Sequence, residues 1–110
     1  MLHELRKEFE TSPAAISLYV AWAGTKPVAK AWIRFYENRD FADLWGGETL
    51  REFRGKGIYR SLVSIRWEES RTRGVRFLTT DALPSSQPIL EKLGFMRLTS
   101  TTPYLWVTLQ

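Results

Sequence analysis

The sequence contains no cysteine and only one histidine, His3. The absence of cysteine excludes disulfides, thiolate metal sites and cysteine nucleophiles. A single histidine argues strongly against a Ser–His catalytic triad and against a histidine-based metal cluster. We expect His3 to be a surface residue near the start of the chain.

The chain also lacks a long apolar run. No stretch approaches the roughly 18 consecutive apolar residues that a membrane-spanning helix needs. The first ten residues, MLHELRKEFE, carry charges throughout and do not contain the apolar region of a signal peptide. From these features we expect a cytoplasmic protein without a membrane partner.

The composition is that of an ordinary globular protein. The chain has 110 residues, of which 44% are hydrophobic and 25% charged, and this indicates one domain. The net charge is +4, and eight of the 16 basic residues lie between Arg51 and Arg76, against three acidic residues. Such an excess suits an anionic ligand or a nucleic acid, and charge alone does not decide between them.

Hydrophobic periodicity predicts nine secondary-structure elements. Residues 1–10 predict a short amphipathic helix, because Leu2, Leu5 and Phe9 are spaced by three and four. The other predicted elements are strands at 16–23, 28–36 and 41–50, a helix at 58–73, a strand at 75–80, a helix from Ser85 or Ser86 to Gly94, and strands at 95–99 and 104–109. This order predicts an α+β, three-layer domain with a mixed, mostly antiparallel twisted sheet and flanking helices.

Glycines mark two special places in this pattern. Gly46 and Gly47 lie inside a predicted strand, which indicates a bulge or the close approach of a ligand. Gly55 and Gly57 alternate with basic residues directly before a predicted helix. Because the first amides of a helix and its dipole attract anions, this turn is suited to a diphosphate. The alternative is a plain solvated turn, and the spacing is neither a P-loop nor a dinucleotide fingerprint.

Three stretches resemble the GNAT superfamily of N-acetyltransferases, in the same order along the chain. Residues 54–59, RGKGIY, resemble the loop that binds the pyrophosphate of coenzyme A. The stretch WGGETLREFRGKGIYRSLV (45–63) resembles the bulged strand that enters this loop, and SSQPILEKLGF (85–95) resembles the helix and "GF" segment downstream. The resemblance implies a GNAT-like acyl-CoA N-acyltransferase fold, acetyl-CoA as co-substrate, no metal, and acetyl transfer to a primary amine of a small molecule or peptide.

The resemblance also implies the residues that contact coenzyme A. The backbone of Thr49 and Arg51 would pair with the pantetheine arm as a missing strand would. Amides of residues 55–60 would hold the pyrophosphate, and two serines would line the other side of the thiol. The implied contacts are Thr49, Leu50, Arg51, Arg54, Gly55, Lys56, Gly57, Ile58, Tyr59, Arg60, Ser85 and Ser86.

Two residues are candidates for catalysis. Glu48 is the best-placed carboxylate for a general base, and an amide between Gly47 and Thr49 could donate to the oxyanion. Tyr104 is a candidate general acid. The competing interpretations are a solvent-exposed Glu48 and a core or interface Tyr104.

The chain departs from the superfamily pattern at three points. Leu90 stands four residues before Gly94, where the superfamily often has a proton-donating tyrosine. Tyr59 replaces a small residue at the end of the loop motif, so we expect its ring to point away from the phosphates. Most of the usual N-terminal strand and two helices, which build the acceptor wall, are missing, so the acceptor site is open, completed by a second subunit, or lost. An exposed sheet edge there predicts a homodimer or a fragment of a longer parent.

Two other functions remain open. The chain could be a non-catalytic acyl-CoA-binding or dimerisation module, which Leu90 favours. A nucleic-acid-binding domain is disfavoured, because the basic residues cluster on one helix and its preceding loop instead of alternating with aromatics across a sheet. We expect Arg66, Arg71, Arg73 and Arg76 to form a solvated face of that helix.

Overall fold

The computed structural model describes residues 4–10, 15–37, 39–80, 87–97 and 104–107. The elements are β1 (Glu4–Glu10), β2 (Ile16–Ala23), β3 (Lys26–Phe35), β4 (Phe41–Thr49), α1 (Ile58–Thr72), β5 (Phe77–Thr80), α2 (Gln87–Lys92), β6 (Met96–Arg97) and β7 (Tyr104–Val107). A short 3-10 turn, Arg51–Phe53, follows β4. Among the described residues, no helix is long and apolar enough to cross a membrane.

The strands form one seven-stranded sheet in the order β1-β2-β3-β4-β5-β7-β6. Only β4 and β5 are parallel, because α1 returns the chain between them, and all other neighbours are antiparallel. The mixed, mostly antiparallel sheet with helices is therefore confirmed.

The helix predicted over residues 1–10 is wrong, because this segment forms the edge strand β1. Leu5 lies opposite Ala21 and Lys7 lies opposite Tyr19, but the register shifts before Phe9. This bulge turns Phe9 to the other face of the sheet from Leu5, so the two residues do not share the single apolar face that their spacing of four suggested. The charged residues of β1 sit mostly in solvent, as an edge strand requires.

Only five residues, 11–15, connect β1 to β2. The two strands are therefore neighbours along the chain and in the sheet. The GNAT resemblance implies two helices near the start of the chain. A connection of five residues is too short to contain them.

The hydrophobic core lies on one face of the sheet. Its larger cluster contains Ile33, Ala42, Leu44, Val63, Val75, Leu78, Leu90 and Phe95. The smaller cluster contains Tyr19, Ala21, Val28, Ala29, Ala31, Ile58 and Leu62. Residues of both helices join strand residues in the larger cluster, so within the described chain α1 and α2 cover the same face, here called the helical face. The opposite face, here called the open face, bears Leu18, Trp32, Arg34, Asp43 and Trp45, which alternate with the buried residues.

A buried carboxylate on α1 joins the helix to the first two strands. Glu69 accepts hydrogen bonds from the Ser17 hydroxyl (2.8 Å), the Tyr19 hydroxyl (2.7 Å), the Lys7 amine (3.1 Å) and the Arg73 guanidinium (2.9 Å). Burial by itself would raise the pKa of Glu69, but these four donors outweigh it and lower the pKa. The carboxylate therefore stays charged and fixes β1, β2 and α1 to one another.

Candidate functional site

The end of β4 has one open edge. Its pairing with β5 covers only Phe41 to Leu44, opposite Phe77 to Thr80. The last five residues of β4, from Trp45 to Thr49, extend beyond that pairing and are hydrogen-bonded to β3 alone among the described strands. A ligand can therefore approach their free backbone edge as an added strand would.

Two glycines form a bulge in this segment. Gly46 lies opposite Ala31 and Glu48 lies opposite Lys30, which leaves Gly47 as the extra residue. Both glycines have positive φ, +79° and +90°. A Cβ at Gly47 would lie only 2.7 Å from the ring of Tyr59. The bulge predicted from the sequence is confirmed, and both conformation and space require glycine there.

Tyr59, in the first turn of α1, packs its half-buried ring against this bulge and against the larger core cluster. The ring therefore lies toward the sheet. This contact fixes the distance between the end of β4 and the beginning of α1.

The connection from β4 to α1 is folded back on itself. The Leu50 amide donates to the Val28 carbonyl (2.9 Å), and the Arg54 guanidinium donates to the Thr49 carbonyl (3.0 Å). Gly55 and Gly57 have φ of +74° and +83°, and no atom lies within 4 Å of a Cβ placed at either. Their backbone conformation demands glycine, and the space around them is open.

The N-terminus of α1, here called its head, carries no acidic residue and no capping side chain. Gly57 is the N-cap residue, no side chain caps it, and the first turn contains no acidic residue. The first amides of a helix have no partner within the helix, and the dipole adds positive potential there. This end of α1 is therefore suited to an anion.

A cavity of about 1170 Å³ joins these features. It is large enough for a cofactor-sized molecule. The predicted site residues that line it are Glu48, Thr49, Leu50, Arg51, Arg54, Gly55, Gly57, Ile58, Tyr59 and Arg60. Among the described lining residues the basic ones are Lys30, Arg51, Arg54 and Arg60, and the acidic one is Glu48. Lys56 is exposed on the same loop but is not part of the lining.

Three predicted site residues remain, and they are not among the described lining residues of the cavity. Ser85 and Ser86 lie outside the described residues. Tyr104 lies opposite Thr80 in the sheet, and Thr80 lies opposite Leu44, so the backbone of Tyr104 is level with the last paired residue of β4. Leu90 is completely buried in the larger core cluster, so its position supplies packing and no proton.

Arg66 was predicted on a solvated face, and that prediction is wrong. Its side chain is 2% exposed, and it donates to the carbonyls of Leu62 (2.9 Å), Trp32 (2.9 Å) and Trp45 (3.1 Å). Burial lowers the pKa of Arg66 to about 10, so the guanidinium remains charged near neutral pH. It ties α1 to β3 and β4 directly beside the bulge. The signal for this role was the spacing of four from Leu62, which places Arg66 on the buried row of the helix.

Replacing Arg66 by methionine should lower the free energy of unfolding by about 2–3 kcal/mol, since strand carbonyls beside the bulge lose their buried donor. Urea denaturation measures this change. Arg71→Met is the matched control, because Arg71 is exposed on the same helix and should change stability by less than about 0.5 kcal/mol. Equal effects of the two substitutions would contradict the role assigned to Arg66.

Several solved structures share this fold. The chain matches an IAA acetyltransferase from Bacillus cereus with a TM-score of 0.70 and 18% identity, over 77% of this chain and 58% of that one. An acetyltransferase of the GNAT family from Staphylococcus aureus matches with a TM-score of 0.77 and 11% identity, over 87% and 70%. PaiA N-acetyltransferase from Thermoplasma acidophilum, in complex with coenzyme A, matches with a TM-score of 0.72 and 15% identity, over 86% and 60%.

The chain therefore has the fold of the GNAT N-acetyltransferases. No protein-family model matches the sequence, and neither does any curated protein. The chain spans less than two thirds of the Bacillus cereus and Thermoplasma acidophilum proteins.

Proposed function

We propose that the chain is an acetyl-CoA-dependent N-acetyltransferase that acetylates a primary amine of a small molecule or a peptide. The observation on which this depends is the cavity that connects the open edge of β4 to the uncapped head of α1. One extended ligand with an anionic end and an amide-bearing arm suits both parts of this cavity.

Coenzyme A fits these features chemically. Its pyrophosphate would be bound by amides of residues 55–60 at the head of α1, with Arg54 and Arg60 supplying positive charge. Its pantetheine arm would lie along the backbone of Thr49 and Arg51. The similar structure from Thermoplasma acidophilum, whose complex contains coenzyme A, supports this choice of ligand.

The proposed reaction is attack of a neutral amine on the thioester carbonyl, forming a C–N bond and breaking the C–S bond. Glu48 would take the proton from the ammonium group, since it is the acidic residue of the described lining and is exposed to an incoming acceptor. A backbone amide between Gly47 and Thr49 would donate to the oxyanion. Tyr104 remains the candidate that returns a proton to the thiolate.

A second candidate function is a non-catalytic acyl-CoA-binding or dimerisation module. Two observations favour it: Leu90 is a core residue, and the short connection between β1 and β2 leaves no room for an acceptor wall. The cytoplasmic location and the homodimeric or fragmentary state expected from the sequence stay predictions.

Replacing Glu48 by glutamine separates the two functions. If Glu48 is the base, the substitution should lower kcat/KM about a hundredfold, because it removes the proton acceptor, and should leave coenzyme A affinity within about twofold. Thiol release from acetyl-CoA over a panel of amines measures turnover, and calorimetry measures affinity.

Glu52→Gln is the matched control, since Glu52 is also exposed, lies four residues further on, and is outside the cavity lining. It should leave both readouts unchanged. If the wild-type protein binds coenzyme A but releases no thiol with any amine, the enzymatic proposal fails and the binding module remains.

A further inference from the structure

The cavity extends onto the open face of the sheet. Val20, Lys30 and Glu48 line the cavity, and they lie opposite one another on β2, β3 and β4. Residues that are paired across neighbouring strands share a face, and the next pair on this face is Leu18 with Trp32. The candidate base Glu48 is therefore on the open face, and an acceptor reaches it from this side.

Lys30 and Glu48 form a pair of opposite charges on neighbouring strands. Both side chains are exposed, and the Cβ atoms of directly opposed residues are about 5 Å apart. Among the described residues, no ion pair includes either of them. The ammonium and the carboxylate of one small molecule can therefore each meet an opposite charge here.

An apolar row lies beside this charged pair. Phe9, Leu18, Trp32 and Trp45 lie opposite one another across β1, β2, β3 and β4, two residues from Lys30 along β3. Trp45 is 47% exposed and Phe9 is 50% exposed. A depression of about 270 Å³ is lined by three members of this row and by Lys30, which also lines the cavity. The depression is smaller than the roughly 300–1,000 Å³ of sites for drug-sized ligands, so it suits a single apolar side chain.

We propose that this surface binds the acceptor and that the acceptor is a free amino acid with a large apolar side chain. This inference rests on the proposed function and names its substrate. The α-ammonium group pairs with Glu48, the α-carboxylate pairs with Lys30, and the side chain lies in the depression along the apolar row. The charged pair and the apolar row are about 7 Å apart, which is close to the reach of a phenylalanine ring from its own amino group.

The same charges take part in the reaction and in product release. Glu48 accepts the proton that the α-ammonium group loses. The nitrogen forms the C–N bond to the acetyl carbon while the C–S bond breaks, and its electron pair leaves on the sulfur of coenzyme A, which takes up a proton. The product is a neutral amide at this nitrogen, so it no longer pairs with Glu48 and binds less tightly than the substrate.

The arrangement favours such a zwitterion over other occupants. The pair of charges sums to zero, which disfavours a nucleic acid or an anionic membrane. A simple amine, an amino acid amide or the N-terminus of a peptide lacks the α-carboxylate and leaves Lys30 without its partner. An amino acid with a small side chain leaves the apolar depression empty.

A panel of four acceptors tests each part of the site. Thiol release from acetyl-CoA should give phenylalanine a kcat/KM at least about tenfold above that of phenethylamine, which has the ring and the amine but no carboxylate. Phenylalanine amide should be as poor an acceptor as phenethylamine. Alanine, which keeps both charges but lacks the ring, should also fall at least about tenfold below phenylalanine.

Replacing Lys30 by methionine tests the carboxylate contact. The variant should lower the preference for phenylalanine over phenethylamine about tenfold, mainly by raising the KM for phenylalanine. The fold should be retained, because Lys30 is exposed. Lys26→Met is the matched control, since Lys26 is an exposed lysine of the same strand and is outside the described lining of both the cavity and the depression. It should keep the wild-type preference.

The outcomes separate this inference from the proposed function. A wild-type chain that acetylates amines without preferring phenylalanine overturns the inference and leaves the proposed function standing. A Lys30 variant that keeps the wild-type preference does the same. A wild-type chain that acetylates no amine overturns the proposed function, and this inference with it.

Discussion

Replacing Gly57 by glutamate is expected to lower the affinity for coenzyme A at least about a hundredfold, while the fold is retained. The new carboxylate would stand at the head of α1, where the proposed pyrophosphate lies, and like charges in contact cost several kcal/mol. The fold should tolerate the change, because no atom lies within 4 Å of a Cβ at this position. The backbone strain at φ +83° costs only about 1–2 kcal/mol.

Gly74→Glu is the matched control for this experiment. Gly74 has a similar φ of +76° and equally open surroundings, but it follows the other end of the same helix. The helix that separates the two positions has 15 residues and is about 22 Å long. Calorimetric titration should therefore show wild-type affinity for Gly74→Glu. If the wild-type chain binds coenzyme A and Gly57→Glu binds it equally well, the loop is not the pyrophosphate site.

Replacing Glu69 by glutamine should lower the free energy of unfolding by about 3 kcal/mol near neutral pH, because four donors lose their charged acceptor in a buried site. The effect depends on pH. The folded state lowers the pKa of Glu69 below its ordinary 4.5, so its contribution is complete above about pH 5 and disappears as the pH falls through the lowered pKa. The wild type and the variant should therefore become similar in stability in acid.

Urea denaturation near pH 7 and at a series of lower pH values measures both effects. Glu68→Gln is the control, because Glu68 is the exposed neighbour on the same helix and, among the described residues, its ion pair is with Arg71 at the surface. Its substitution should change stability by less than about 0.5 kcal/mol. A Glu69 variant whose deficit persists unchanged in acid would contradict the charged state assigned to this residue.

The sequence predicted the middle of the fold well and its edge badly. Strands β2, β3 and β4 and helix α1 follow from alternation, turn residues and a helix start, all of which are local signals. β1 was predicted as a helix because Leu2, Leu5 and Phe9 are spaced by three and four, and a bulge between Lys7 and Phe9 places Leu5 and Phe9 on opposite faces of the strand. A single sequence does not show where such a bulge falls, since the partner strand determines it.

The features of the candidate site also divide into those that local sequence signals predict and those that they do not. The bulge at Gly46 and Gly47 and the turn at Gly57 were predictable, because positive φ is a local requirement that glycine meets.

The burial of Glu69 was not predictable, because a buried charge depends on partners far along the chain. For Glu69 those partners include Ser17, which also explains why β2 turns a polar residue toward the helix. The spacing of four from Leu62 indicated the buried row for Arg66, but it did not indicate which strand carbonyls accept its hydrogen bonds.

The five-residue link between β1 and β2 has a consequence for how this scaffold can diversify. All described residues that line the cavity follow the link, from Val20 onward. A longer segment inserted at the link would lengthen a connection that contributes no described residue to the cavity lining, and chains tolerate longer connections well. The contacts that an inserted segment makes can thus evolve, or be engineered, separately from the cavity that we propose to hold the acyl donor.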